Sequence, residues 1–318
     1  MTGGLPELFG KAFAIGFLFP AAAIAISAFG VLAAFGLEQQ ALAFGSEDKL
    51  VGTAIALVLI WFLAIALMAL NRSAIRCLEG YGRFNPVKLI GFLEKRRFTR
   101  LRERLRETES LLADAKSAGR PLDSDALAMR SRLQLQMASD FPDDMRWLLP
   151  TRFGNTVRAF EVYPRVVYDL EGIQGWSRLA AVVPEEFARA IAETKSRMDF
   201  WINILFGGLA ILAMYVTLAL LDCSLPQWRI PLAAIAICCI SSISARAVAA
   251  EWGALVMSAF DLYRGDLCAK LGFEMPRSIE AERRMWRTFS QVAIYRSRSK
   301  AERFTGFRQL SSKDAESD

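Results

Sequence analysis

The sequence predicts an all-α protein with four transmembrane helices, arranged as two hairpins with a helical cytoplasmic domain between them. Three observations lead there. Of the 318 residues 53% are hydrophobic and the mean hydropathy is +0.27, yet 23% are charged, so apolar and charged residues must be segregated along the chain. The apolar residues gather in four stretches of bilayer-crossing length. Arginine and lysine gather outside those stretches, and only on one side of them.

The four spans are residues 12–37, 50–70, 200–221 and 230–250. A helix rises ~1.5 Å per residue, so roughly 20 residues cross a ~30 Å hydrocarbon core. The first three stretches carry no charge. The fourth contains Arg246, which fits if its guanidinium snorkels to the nearby interface. Residues 12–37 are read as a retained helix and not as a cleaved leader. Ala41-Leu42-Ala43 offers a small-residue site, but the run far exceeds the ~7–15 residues of a leader's apolar core.

Basic residues orient the spans. The 38–49 connection carries Glu38, Glu47 and Asp48 against Lys49, whereas residues 71–109 carry basic side chains from Arg72 to Arg106 and the segment 251–318 is again basic. Residues 1–11, the domain 71–199 and the segment 251–318 therefore share the cytoplasmic side. The reading is a multi-pass membrane protein with both termini cytoplasmic. The net charge of +6 is then explained by topology and by attraction to anionic lipid heads, with no nucleic acid invoked.

Within 71–199 the pair Asn85-Pro86 predicts a helix start, Asn as cap and Pro at the first position, running to Ser117. Phe98, Leu101, Leu105, Thr108, Leu112 and Ala115 follow at alternating spacings of three and four, an apolar seam of coiled-coil type. After Gly119-Arg120-Pro121 a second helix, capped by Asp123 or Ser124, carries Ala126, Met129, Leu133 and Met137 on one face. The two form a helical hairpin over 86–139, read as a packing or self-association device. Val183-Pro184-Glu185-Glu186 starts a helix that nothing breaks before the third span. After the fourth span a further helix is expected from Ser278 to Arg296.

The chemistry available is limited. The chain has no histidine, which removes histidine-based acid–base work and most zinc and haem sites. Its five cysteines place no pair on the oxidising side, so no structural disulfide is expected. Asp140, Asp143 and Asp144, with Asp169 or Glu171, offer oxygen ligands, but their spacing matches no calcium loop and a solvated turn is the simpler reading. No metal, cofactor or catalytic residue is assigned. The stretch 148–164, LLPTRFGNTVRAFEVYP, sets Arg152, Asn155, Arg158 and Glu161 as the ligand-binding candidates. Guanidinium pairs clamp phosphates and carboxylates. The simpler account pairs Arg158 with Glu161 and makes Asn155 the cap of a short helix, Thr156 to Val162, ended by Tyr163-Pro164. Within the spans the polar candidates are Asn203 and Arg246, with Gly207-Gly208 and serines 241, 242 and 244 favouring close helix approach.

The segment PTRFGNTVRAFEVYP, followed by Tyr168, Trp176, VVPEEF and Met198-Asp199-Phe200, resembles a segment of uncharacterised bacterial multi-pass membrane proteins with a PTR-x-GN-x-x-RA-x-E-x-Y pattern. The resemblance covers residues 150–200, implies a bacterial inner-membrane protein, and carries no activity. The function expected is a non-enzymatic membrane scaffold, sensor or effector that self-associates. The alternatives are a small transporter or channel with a path near Asn203 and Arg246, and a membrane enzyme using the acids and arginines of 140–171.

Overall fold

A computed structural model describes residues 10–39, 49–83, 85–297 and 306–308. All regular structure among these residues is helical, apart from one isolated antiparallel bridge between Phe273 and Arg308. Nine α-helices are used below: α1 (Lys11–Ala34), α2 (Lys49–Glu79), α3 (Gly91–Ser117), α4 (Ser124–Asp140), α5 (Arg152–Tyr168), α6 (Gly172–Leu179), α7 (Glu185–Asp222), α8 (Arg229–Lys270) and α9 (Ile279–Phe289). Four stretches are long and apolar enough to cross a membrane: Lys11–Ala34, Leu50–Glu79, Glu185–Asp222 and Arg229–Lys270.

The chain forms two compact units, Met1–Asn85 with Ala192–Ala249, and Pro86–Ile191 with Ala250–Asp318. Helices α7 and α8 each give one end to either unit.

In the first, apolar unit α1 packs on one side against α2, through Phe13, Phe17 and Ala21 around Ala64. On its other side Val31 packs with Ile211, Tyr215 and Ala219 of α7. Gly207 and Gly208 let the helices close in. Successive helical residues point about 100° apart, so the two glycines serve different neighbours. A Cβ on Gly207 would lie 2.4 Å from the Ile24 side chain of α1, and one on Gly208 would lie 2.8 Å from Cys238 Sγ of α8. Gly208 thus meets the fourth span at Cys238; Ser241 is fully buried, and its Oγ has no hydrogen-bond partner among the described residues. Helix α1 is also shorter than the 12–37 expected. It closes at Ala34 because Gly36, at φ +70°, lets Gly36 N–H reach Ala33 O and Leu37 N–H reach Leu32 O, the paired bonds of a Schellman stop.

In the second, polar unit α3 and α4 lie antiparallel. Phe98, Leu101, Leu133 and Phe141 form their buried core, with Leu105 and Met137 partly buried beside it. An ion pair joins Arg97 to Asp140 and a hydrogen bond joins Gln134 to Glu109. The predicted seam faces inward except at Met129, which is exposed. Asp123 is the cap of α4, accepting from Asp125 N–H.

The start of α3 differs from expectation. Pro86–Ile90 is a 3-10 turn and the α-helix begins only at Gly91. The Asn85 side chain also reaches backwards: its Nδ2 donates to Cys77 O at 2.7 Å and Tyr81 O at 2.9 Å, beside the end of α2. Of the apolar residues of late α8, Phe260 is buried and Leu262 is exposed. Helix α9 starts at Ser278, whose Oγ accepts from Ala281 N–H, and a π turn over Ser290–Ile294 follows it.

Candidate functional site

Helix α5, which carries the ligand-binding candidates, runs through Pro164 to Tyr168 and so is longer than the predicted 156–162. Its cap is Thr151, whose Oγ1 accepts from Gly154 N–H at 2.8 Å. Asn155 is not the cap but a fully buried residue of the first turn. Its Oδ1 accepts from Leu149 N–H at 2.7 Å, and its Nδ2 donates to Leu149 O at 3.0 Å and Glu94 Oε2 at 3.3 Å. Asn155 thus fastens the loop before α5 and joins it to α3. Buried peptide groups without such a partner cost about 1–3 kcal/mol each, which is why an amide stands here.

Arg152 also turns to α3: its Nε lies 3.6 Å from Glu94 Oε1. Glu94, buried and also paired with Arg97 at 3.1 Å, is the hub of this corner. Sequence reading missed it, because a carboxylate in a first helical turn looks like a solvated partner of the helix dipole. Arg158 lies 3.5 Å from Glu161, the pair that the sequence offered as the simpler account. The four candidates therefore do not converge. Arg152 and Asn155 serve the junction with α3, and Arg158 and Glu161 form a separate pair.

The acids of 140–171 do not gather either. Asp140 pairs with Arg97, and Asp144 with Arg146 at 2.6 Å, which holds the Asp144 carboxyl down at about 2. Asp169 pairs with Arg287 at 2.6 Å and Arg283 at 3.3 Å, and Glu171 with Arg165. Among the described residues no group of three or more acids or cysteines is placed to hold a metal ion.

The C-terminal end of α5 carries a denser network that the sequence did not reveal. Asp261 of α8 accepts from Tyr163 Oη at 2.9 Å and from Tyr168 Oη at 2.7 Å. Burial first, and the carboxylate second, push both tyrosine hydroxyls above their ordinary value. Arg264 stacks over the Tyr168 ring at 4.3 Å and donates to Glu282 of α9 at 2.7 Å, and Trp286 Nε1 donates to the same carboxylate at 3.2 Å. Arg283 then donates to Val166 O and Val167 O, both at 2.9 Å, covering carbonyls that the end of α5 leaves open.

One face of α5 borders a cavity of about 150 Å³ lined by Phe160, Glu161, Trp176, Trp252, Val256 and Phe260, with Gly172 and Ile173 at its edge. Phe160 and Trp252 meet edge-on at 5.0 Å between centroids, and Trp176 and Phe260 lie 6.2 Å apart. Gly253 makes the α5–α8 crossing possible, since a Cβ there would stand 2.2 Å from the Phe160 ring. Burial pushes the Glu161 carboxyl up, with Arg158 only partly opposing it. The indole N–H of Trp252 is buried and has no hydrogen-bond partner among the described residues. Of the four sequence candidates, Glu161 lines this cavity.

In the apolar unit, Asn203 is buried and donates to Gly16 O of α1 at 2.8 Å. Gly16 lies in a π turn, Ala14–Leu18, whose altered bonding pattern leaves a carbonyl for a side chain to satisfy. Nearby, Asn71 of α2 donates to Asp199 Oδ1 at 3.0 Å, and Lys195 to Oδ2 at 2.7 Å. Arg246 is half-buried on α8. Asn203 is thus committed to a helix–helix hydrogen bond.

These observations define an all-helical protein with four helices of membrane-crossing length and composition, and a polar helical unit held by charge networks. In comparisons with known proteins, no family model matches the chain, and no curated protein or solved structure matches it either.

Proposed function

We propose that the chain is a four-span protein of a bacterial inner membrane, its spans paired as two hairpins, with both termini and residues 71–199 on the cytoplasmic side. In this reading it works without catalysis, as a self-associating scaffold that senses a small ligand. The observation that carries it is how the polar side chains are used. The acids and arginines of 140–171 join helices to one another, as in the Glu94–Asn155 and Asp169–Arg287 contacts, whereas Glu161 and four aromatic rings border open space. That is the composition of a binding pocket, mostly apolar with one charged group. A path through the spans has less support, because the Asn203 amide is already bonded to Gly16.

Self-association is supported by α2, whose apolar span is only 6% buried against 28% for each of the other three. Lipid or a second copy must cover it. Mass measurement of the protein in lipid nanodiscs tests this: a dimer or larger assembly is expected, and a strict monomer at every concentration overturns it. Reporter fusions at Gly119 and at Gly45, the latter outside the described residues, should report opposite sides of the membrane. Two cytoplasmic reports would overturn the topology.

A further inference from the structure

At the beginning of α3 the usual polarity of a water-soluble helix is reversed. The side chain turned inward is the carboxylate of Glu94, held by Asn155, Arg97 and Arg152. The side chains turned outward are apolar and large: Leu89 is 79% exposed, Ile90 49%, Phe92 52% and Leu93 46%. A first turn that faced water would reverse these positions, because an apolar side chain of this size gains about 1.5–3 kcal/mol when removed from water. Four of them within five residues form a patch of the kind that marks an interaction surface.

The flanks say what covers it. Lys88, Lys95, Arg96 and Arg100 are all exposed beside the patch, and the Arg96 guanidinium lies 5.5 Å over the Phe92 ring. Apolar residues framed by cations match an anionic bilayer surface, where the side chains enter the acyl boundary and the cations meet lipid phosphates. They match a second copy of the same patch poorly, since like charges would be brought together. Position in the chain agrees. The patch begins ten residues after the end of α2 at Glu79, and an extended chain of that length spans about 33 Å, so it can return to the interface on the side where the span ends.

We propose that residues 86–96 form an interfacial docking segment, in which Leu89, Ile90, Phe92 and Leu93 insert into the lipid surface and Lys88, Lys95 and Arg96 bind anionic headgroups. The inference rests on the membrane reading above, and the test separates the two. In full-length protein with its five cysteines replaced by alanine, single cysteines at 89, 92 and 93 are spin-labelled in phosphatidylglycerol/phosphatidylethanolamine vesicles. Labels at Phe62 in α2 and Leu111 in α3, both well exposed, serve as span and water references.

Labels at 89, 92 and 93 are expected to be open to oxygen and shielded from a water-soluble nickel reagent, at a depth shallower than 62. Position 111 should behave as in water. If 89–93 match 111, the docking proposal is overturned while the membrane reading stands. If they are shielded from both reagents, protein covers them and the proposal is again overturned. If 62 also reports water, the membrane reading fails first. Replacing Lys88, Lys95 and Arg96 by Gln, or the anionic lipid by phosphatidylcholine, should move the three labels toward water, and unchanged depth would remove the electrostatic half of the proposal. Circular dichroism and the 62 label show that each variant is folded and inserted.

Discussion

The two units bury polar groups in opposite ways. In the apolar unit the contacts named above are made by amides and one carboxylate: Asn203 on the Gly16 carbonyl, and Asn71 and Lys195 on Asp199, with two glycines where helices nearly touch. In the polar unit they centre on four carboxylates. Glu94, Asp169, Asp261 and Glu282 each take two or more partners. The contrast follows from what each unit can use. Between apolar helices in lipid, hydrophobic burial gives no preference for one neighbour over another, so close packing and occasional hydrogen bonds select the partner. In a polar unit with short helices the apolar seams are small, and charge-assisted bonds fix which helix meets which.

That contrast can be broken from either side. The largest effect is expected at Asn155. Asn155→Ala removes three hydrogen bonds and leaves the Leu149 peptide and Glu94 under-satisfied, a loss of about 3 kcal/mol or more. Denaturant titration of the purified protein should show it, and a loss below ~1 kcal/mol would mean that solvent already reaches this corner. Next comes Gly253→Ala, where the new methyl meets a ring held between helices. A cost of about 1–3 kcal/mol is expected. Gly207→Ala should cost less, because the atoms it meets, Ile24 Cγ1 and Cδ1, belong to an aliphatic side chain smaller than a ring. Equal costs at the two glycines would show that both crossings are equally rigid.

Smaller again is Asn203→Ala in the apolar unit. One hydrogen bond between membrane helices is worth about 0.6 kcal/mol on average, so the shift in unfolding midpoint should be near the limit of detection. A loss as large as that of Asn155→Ala would erase the distinction between the units. The smallest expected effect is a pH dependence at Glu161. Its folded pKa is raised by burial, so it favours folding below its ordinary value and that contribution is lost as pH rises through the raised one. The midpoint of Glu161→Gln should therefore gain on wild type between acid and neutral pH. A difference that moves the other way would mean that the Arg158 pairing outweighs burial.

How much of this was legible in the sequence differs between the units for related reasons. The apolar helices follow from composition, because a run without charges has few alternatives to a long helix. The α3–α4 seam is legible for a similar reason, since apolar spacing of three and four states which face is buried. The ligand candidates were not legible. Arg152, Asn155, Arg158 and Glu161 are adjacent in sequence, but at 100° per residue they leave α5 in different directions, toward α3 for two of them and toward the aromatic cavity for Glu161. Glu94 and Asp261 were invisible as hubs because the partners that make them so lie 58 or more residues away, as Arg152 and Tyr168 do, while Arg97 beside Glu94 reads as an ordinary helix pair. No local pattern encodes such a distance.

By itself, then, the sequence determined the helical class, the four long apolar helices, the α3–α4 pairing and the capping of α4. These depend on hydrophobic periodicity and on groups a few residues apart, which physical chemistry reads locally. Only the tertiary structure decided that Asn155 is a buried fastener, that Asn85 turns back to α2, that Glu161 faces a cavity, and that the entry to α3 presents Leu89, Ile90, Phe92 and Leu93 outward. Each of those depends on which distant helix stands opposite a side chain, and burial by a distant neighbour is the one quantity that local periodicity does not contain.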